Sequence, residues 1–87
     1  MNWIKHNRLA NNITQIDLSI MVNYELSNMK SEHTVSQSRI SNLERLDRLQ
    51  LLSSLYAIEY KAMKIIFNEL SEVNTVGGVQ KLQPNIF

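Results

Sequence analysis

The sequence predicts an all-α fold of five helices, because the residues that interrupt helices are nearly absent before Gly77. The chain has 87 residues with two glycines and one proline, and all three lie near the C-terminus. Glycine and proline are the least favourable residues in a helix interior, so most of the chain is free to be helical. A hydrophobic fraction of 44% and a charged fraction of 20% are ordinary for one small globular domain.

Local capping signals place the first two helices. Residues 2–11 form the first predicted helix, which ends at Asn12 because asparagine tolerates the left-handed backbone of a helix end. Thr14 then matches an N-cap with Asp17 three residues later, which is the pattern of a capping box. The second helix is predicted to begin there and to end near Asn23.

The next segment leaves two alternatives open. Residues 24–34 are mostly polar, so they either extend the second helix or form an ordered loop. A third helix is predicted over residues 36–46, with Ser36 as its N-cap and with Ile40 and Leu43 turned inward.

Two apolar helices are predicted after a short connection at Asp47 and Arg48. Residues 49–60 are too rich in apolar side chains for a narrow stripe, which predicts a central helix buried on most sides. Residues 61–73 predict a fifth helix with more apolar surface than so small a domain can cover. This surplus predicts a dimer interface, and the alternative is that the same face is simply core.

The composition changes at residue 74, where the predicted domain over residues 1–73 ends. Gly77 and Gly78 predict a flexible joint, and residues 74–87 are expected to form a flexible tail. The alternative is a strand that pairs with a second copy, or a peptide that docks on a partner.

Composition also argues against catalysis, cofactors and metal binding. There is no cysteine, and therefore no disulfide, thiolate site or cysteine nucleophile. His6 and His33 are isolated in the sequence, the serines lack a convincing base, and no glycine-rich phosphate loop is present. No apolar run approaches a membrane span and no signal-peptide core is present, so a cytoplasmic, nucleoid-associated protein is expected.

The outward face of the third helix suggests a more specific role. Its side chains are hydrogen-bonding groups and arginines, with few of the usual surface lysines and glutamates: Gln37, Ser38, Arg39, Ser41, Asn42 and Arg45. Glutamine and asparagine can pair bidentately with adenine, and arginine with guanine. This face can therefore read base edges, or it can be a solvated polar face.

Two motifs together resemble the lambda-repressor-like (XRE/Cro-CI type) helix-turn-helix DNA-binding family. The matching residues are Ile4-x-x-x-Arg8, then Thr14-Gln15-x-x-Leu18-Ser19, and then Val35-Ser36-Gln37-Ser38-Arg39-Ile40-Ser41-Asn42-Leu43-Glu44. The resemblance covers residues 3–60 well, the fifth helix loosely and the tail not at all. The chain departs from the family by about eleven extra residues, 24–34, between helices 2 and 3. It also lacks the glycine that usually follows the recognition helix.

The resemblance implies a role for each matching residue. Gln37, Ser38, Ser41 and Asn42 would read bases from the third helix. Gln15 would brace that helix and touch a phosphate, and Ser36, Arg39, Arg45 and Arg48 would contact or position the phosphate backbone. Arg8 would form a structural bridge with Glu44 rather than contact DNA directly.

The expected function is therefore a sequence-specific transcriptional regulator, a homodimeric repressor that binds a double-stranded DNA operator. The alternative is an antitoxin that regulates its own operon and holds a cognate toxin through its last helix or its tail. A helix-turn-helix scaffold that has lost DNA binding is a third alternative.

Overall fold

The computed structural model describes the backbone of residues 2–81 and the side chains of residues 2–72. This part of the chain is helical, with no strand. Its elements are α1 (Trp3–Ala10), α2 (Gln15–Asn28), α3 (Gln37–Leu43), α4 (Arg48–Leu51), a 3₁₀ helix (Ser54–Tyr56) and α5 (Ala57–Lys81). The predicted all-α architecture of five helices is confirmed over these residues.

The core forms where α2 lies against α3 and α5. Along α2, Leu18, Val22 and Leu26 recur every four residues and are completely buried, as expected for one face of a helix. The other elements contribute the remaining buried apolar side chains: Ile4, Val35, Ile40, Leu43, Leu51, Ala62, Met63, Ile66 and Phe67. The inward positions predicted for Ile40 and Leu43 on α3 are confirmed.

The predicted starts of the first helices are present. Asn2 caps α1 by accepting a hydrogen bond from the Lys5 amide. The capping box of α2 is complete, because the Asp17 amide donates to the Thr14 hydroxyl at 3.0 Å and the Thr14 amide donates to the Asp17 carboxylate at 3.2 Å. Asn12, with φ of 56°, takes the left-handed conformation that was predicted at the break.

The second helix continues past Asn23, so the alternative that residues 24–34 extend it holds for the first part of this segment. Residues 24–28 extend α2, and only the remainder of the 24–34 segment is a connection. The helix ends at a left-handed residue, Lys30 with φ of 61°, and the Ser31 amide donates to the Leu26 carbonyl at 2.9 Å. These two features form the helix-ending motif that glycine usually supplies.

Asn23 does not end α2 but lies inside it, where its side chain is hydrogen-bonded to the connection between α2 and α3. The Val35 amide donates to Asn23 Oδ1 at 2.7 Å, and Asn23 Nδ2 donates to the Val35 carbonyl at 3.0 Å. This pair of bonds fixes the residue that leads into α3, and the side chain of Val35 itself is buried. The connection therefore returns to a fixed point on α2.

The third helix ends earlier than predicted, at Leu43 rather than Leu46. After it, the amides of Arg45 and Leu46 bond to carbonyls three residues back, which is the tight geometry of a helix end. Asn2 Nδ2 donates to the Leu43 and Leu46 carbonyls at 2.7 and 3.1 Å, and so satisfies acceptors at this helix end. The start of α1 is thereby attached to the end of α3.

The predicted central helix over residues 49–60 is wrong. The chain forms the four-residue α4, with Asp47 as its N-cap, and breaks at Ser53, whose ψ of 159° is extended. Serine competes with the helical backbone for hydrogen bonds, which favours a break at this point. Leu49 and Leu55 are consequently 81% and 79% exposed rather than buried.

The predicted fifth helix, residues 61–73, is the middle of the longer helix α5. Its apolar residues Ala62, Met63, Ile66 and Phe67 are buried in the core of the single chain. The apolar side chains whose number predicted a dimer interface on this helix are thus largely part of the core.

The predicted tail, residues 74–87, lies largely outside the described residues. Up to Lys81 its backbone falls within α5, while the side chains from Val73 onward and all of residues 82–87 are not described. Among the described residues, no helix combines the length and apolar character needed to cross a membrane.

Replacing Asn23 by alanine should destabilise the domain. The substitution removes both side-chain hydrogen bonds to Val35 and leaves a part-buried amide and carbonyl without these partners. We expect a loss of about 1–3 kcal/mol in the free energy of unfolding, measured by urea denaturation. The control Asn28→Ala, at an exposed position on the same helix, should change stability much less; equal stabilities would contradict the role of Asn23.

Candidate nucleic-acid interface

A buried ion pair joins α1 to the end of α3. Arg8 Nε donates to Glu44 Oε2 at 2.6 Å and Arg8 Nη2 donates to Glu44 Oε1 at 3.1 Å, so the contact is bidentate. The two side chains are only 10% and 5% exposed. Arg8 Nη1 also donates to the Ile13 carbonyl at 3.0 Å, in the connection before α2. The structural bridge predicted between Arg8 and Glu44 is present.

This pairing raises the pKa of Arg8, chiefly through the hydrogen bonds from its side chain to Glu44, against the opposing effect of burial. An arginine whose pKa is raised on folding contributes its stabilisation fully at any pH below its ordinary value. As far as the charge of Arg8 is concerned, the ion pair is therefore fully formed throughout the physiological pH range.

Gln15 extends this ion pair to the exposed surface of α3. Its Nε2 donates to Glu44 Oε1 at 3.0 Å, and its Oε1 accepts a hydrogen bond of 2.7 Å from Gln37 Nε2. A continuous chain of contacts thus runs from Arg8 through Glu44 and Gln15 to Gln37. It fixes the orientation of an exposed glutamine at the first position of α3.

The remaining residues predicted to read bases lie along the same short helix. Ser36 caps α3 by accepting a hydrogen bond of 3.1 Å from the Arg39 amide. Ser38 and Asn42 are exposed and Ser41 is half-buried. The structure therefore brings Gln37, Ser38, Ser41 and Asn42 together on one helix of seven residues, and presents polar groups to solvent from it.

The guanidinium of Arg39, a predicted phosphate contact, is paired within the protein while its side chain stays 37% exposed. Arg39 Nε and Nη2 donate to the two carboxylate oxygens of Glu59 at 2.7 and 3.0 Å. The guanidinium also lies over the ring of Tyr56, 5.2 Å from its centroid. The hydrogen bonds to Glu59 are the main reason that the pKa of Arg39 is raised. Its charge is neutralised inside the fold, so Arg39 is a poor candidate for a phosphate contact.

Glu59 is the main residue that sequence reasoning missed. It lies on α5, only 2% exposed, and it faces both Arg39 and His33, whose Nε2 is 3.5 Å from Glu59 Oε2. His33, which is isolated in the sequence, thus lies near a carboxylate in the fold while its side chain stays 42% exposed. The available signal was a single carboxylate within the apolar run from Leu55 to Ile66, since a charge at such a position is rarely buried without a partner.

Arg45 and Arg48 remain available to an external anion. Both are exposed, and neither forms a salt bridge with another described residue. They lie in the connection after α3 and at the start of α4, on the rim of a hollow of about 690 Å³ that Trp3 and Tyr60 also line. Glu44 is paired with Arg8, but the exposed Asp47 lines the same hollow and offsets one of these charges, so the surface beside α3 is only weakly positive.

Among the described residues, no group of three or more histidine, aspartate or glutamate side chains is placed to hold a metal ion. In comparisons with known proteins, no family model, curated protein or solved structure matches the chain.

Replacing Glu44 by alanine should strongly destabilise the protein, because it leaves the buried guanidinium of Arg8 without its counter-charge. Removing one partner of a buried ion pair typically costs about 3–5 kcal/mol, and a loss near the lower end is expected in urea denaturation. The control Glu32→Ala removes an exposed carboxylate and should have little effect. If both variants unfold at the same denaturant concentration, the ion pair is not a main support of the fold.

Proposed function

We propose that this protein is a sequence-specific transcriptional regulator that binds double-stranded DNA with α3 in the major groove, as a homodimeric repressor. The observation that carries the proposal is the chain of contacts from Arg8 through Glu44 and Gln15 to Gln37. It holds a base-pairing side chain in one orientation at the exposed start of a helix. Such preorganisation reduces the entropy lost on binding and is favourable for reading a fixed sequence.

The exposed side chains of α3 have the chemistry that base recognition requires. Gln37 and Asn42 can each make two hydrogen bonds to adenine, and Ser38 and Ser41 can donate to or accept from several bases. A bidentate pairing of this kind discriminates against a wrong base by about 1–3 kcal/mol. The face thus combines strong and adaptable hydrogen-bonding groups.

The phosphate backbone would be held from both sides of α3. Gln15 lies in the first turn of the 14-residue helix α2, where unpaired backbone amides and the helix dipole attract an anion. Arg45 and Arg48 supply positive charge beyond the other end of α3, and Ser36 lies at its start. These contacts would set the position of α3 without reading sequence themselves.

A second copy would complete the operator contact. The exposed leucines Leu49, Leu52 and Leu55 follow Arg48 on α4 and its continuation, and all three are more than half exposed. Exposed apolar side chains in a cluster commonly mark a protein interface. A two-fold dimer through this surface would carry two copies of α3, which would suit an operator with half-sites about 34 Å apart.

The alternative function is that of an antitoxin, which would bind a partner protein in addition to DNA. The exposed apolar side chains Ile20 and Tyr24 on α2 favour a protein partner of this type. An adjacent gene that encodes a toxin would support it, and a partner that still co-purifies after deletion of residues 77–87 would exclude a contact through the tail.

Selection from a random library of duplexes tests the DNA-binding proposal directly. The protein should enrich a pseudo-palindromic site, which it should bind at least about 10³-fold more tightly than random duplex at physiological salt. Gln37→Ala should weaken binding to that site by about 1–3 kcal/mol while the thermal unfolding curve stays unchanged. Asn68→Ala, on the exposed face of α5, is the matched control and should bind as the native protein does.

Failure to enrich any sequence would overturn the proposed function. An unchanged preference in Gln37→Ala would show instead that α3 is not the reading helix.

The salt dependence of binding should distinguish the free arginines from the paired one. Removing the charge of Arg45 with Arg45→Gln should lower the slope of log K against log salt by about 1, because one fewer phosphate is neutralised. The double change Arg39→Gln with Glu59→Gln removes an internally neutralised pair and should leave the slope unaltered. A lower slope in the double variant would show that Arg39 contacts DNA.

A further inference from the structure

A shallow apolar groove runs between α2 and α5, on a surface that the DNA proposal does not use. Two hollows of about 320 and 300 Å³ share Met21 and Leu70 in their linings, so they form one continuous depression. Ile20 and Tyr24 stand along its edge and are 62% and 66% exposed. Neither hollow is lined by a residue of α3 or α4.

The spacing of the exposed residues suits a helical partner. Ile16, Ile20 and Tyr24 recur every four residues on α2, so they form one straight apolar strip roughly 12 Å long. A strip of this length matches about two turns of a helix that presents apolar side chains at the same spacing. Amphipathic helices commonly bind grooves of this kind through anchors three and four residues apart.

The charges around the groove define the partner further. Its lining includes three carboxylate residues, Asp17, Glu25 and Glu69, and no described lysine, arginine or histidine. A nucleic acid would be repelled from such a surface, whereas a helix flanked by lysine or arginine would be attracted to it. A second copy of this chain is also disfavoured, since a two-fold contact would place the same carboxylates against each other.

We propose that the groove between α2 and α5 binds an amphipathic helix of a partner protein, with apolar anchors over Ile20, Met21 and Leu70 and with basic residues beside Glu25 and Glu69. The site is separate from the exposed face of α3, so the proposal does not rest on DNA binding.

Two model peptides test the site without a known partner. Each is a helix of about 18 residues with leucines every three to four positions, flanked by lysines in one peptide and by glutamates in the other. Titration into the ¹⁵N-labelled full chain should show that the lysine peptide binds and shifts the amides of Ile20, Met21, Tyr24 and Leu70. The glutamate peptide should bind at least roughly tenfold more weakly.

Variants of exposed residues distinguish binding in this groove from non-specific binding to exposed apolar side chains. Ile20→Ser should lower the affinity for the lysine peptide by roughly tenfold, because a large apolar contact is lost. The control Leu55→Ser removes a more exposed side chain outside the groove and should leave the affinity unchanged. Exchange of both carboxylates, Glu25→Lys with Glu69→Lys, should reverse the preference in favour of the glutamate peptide.

The proposal would be overturned by the absence of binding by the lysine peptide, by shifts centred on Leu49 to Leu55, or by equal affinities in Ile20→Ser and Leu55→Ser. Concentration-dependent shifts at Ile20 and Tyr24 in the protein alone would also overturn it, because they would make a second copy the occupant. Enrichment of a DNA site in the separate selection is independent of all these results.

Discussion

The buried contact between Arg8 and Glu44 is the interaction on which the rest of the structure depends. Burying two charges is costly, and here the cost is offset because the two charged groups are hydrogen-bonded to each other. Glu44 accepts from two nitrogens of Arg8 and from the side-chain Nε2 of Gln15, while Arg8 also donates to the Ile13 carbonyl. Three segments that are distant in sequence, namely α1, the start of α2 and the end of α3, are thereby held at one point.

The helix α3 needs this support because it is short. A helix of seven residues is unstable by itself in water, so its conformation has to come from tertiary contacts. Glu44 holds its C-terminal end and Arg39 ties its first half to the buried Glu59 on α5, while Ile40 and Leu43 anchor the face between them. With both ends and the inner face attached, the outer face presents its side chains in a defined arrangement, which is the condition that sequence-specific binding imposes.

The two surfaces of α2 serve different chemistry. Near the start of α2, Gln15 is hydrogen-bonded to Gln37 of α3. This contact belongs to the hydrogen-bond network that reaches the polar, mildly basic surface of α3. Along the other side of α2, Ile20 and Tyr24 border an acidic apolar groove that faces α5. The extension of α2 through Asn28 lengthens this second surface, and the bonds between Asn23 and Val35 return the chain to α3. Residues 24–28 therefore lengthen one surface, while the start of α3 stays attached to α2.

The sequence by itself determined the all-α class, the caps at Thr14 and Ser36 and the inward face of α3, since each of these depends on residues within about one helical turn. The bridge from Arg8 to Glu44 was also predicted, though only through the resemblance to a known family. Tertiary structure alone decided that Arg39 pairs with Glu59 and that Leu49 and Leu55 stay exposed. Those outcomes depend on which distant surfaces meet, because a guanidinium selects its carboxylate by position in space, and a leucine is buried only where another element covers it.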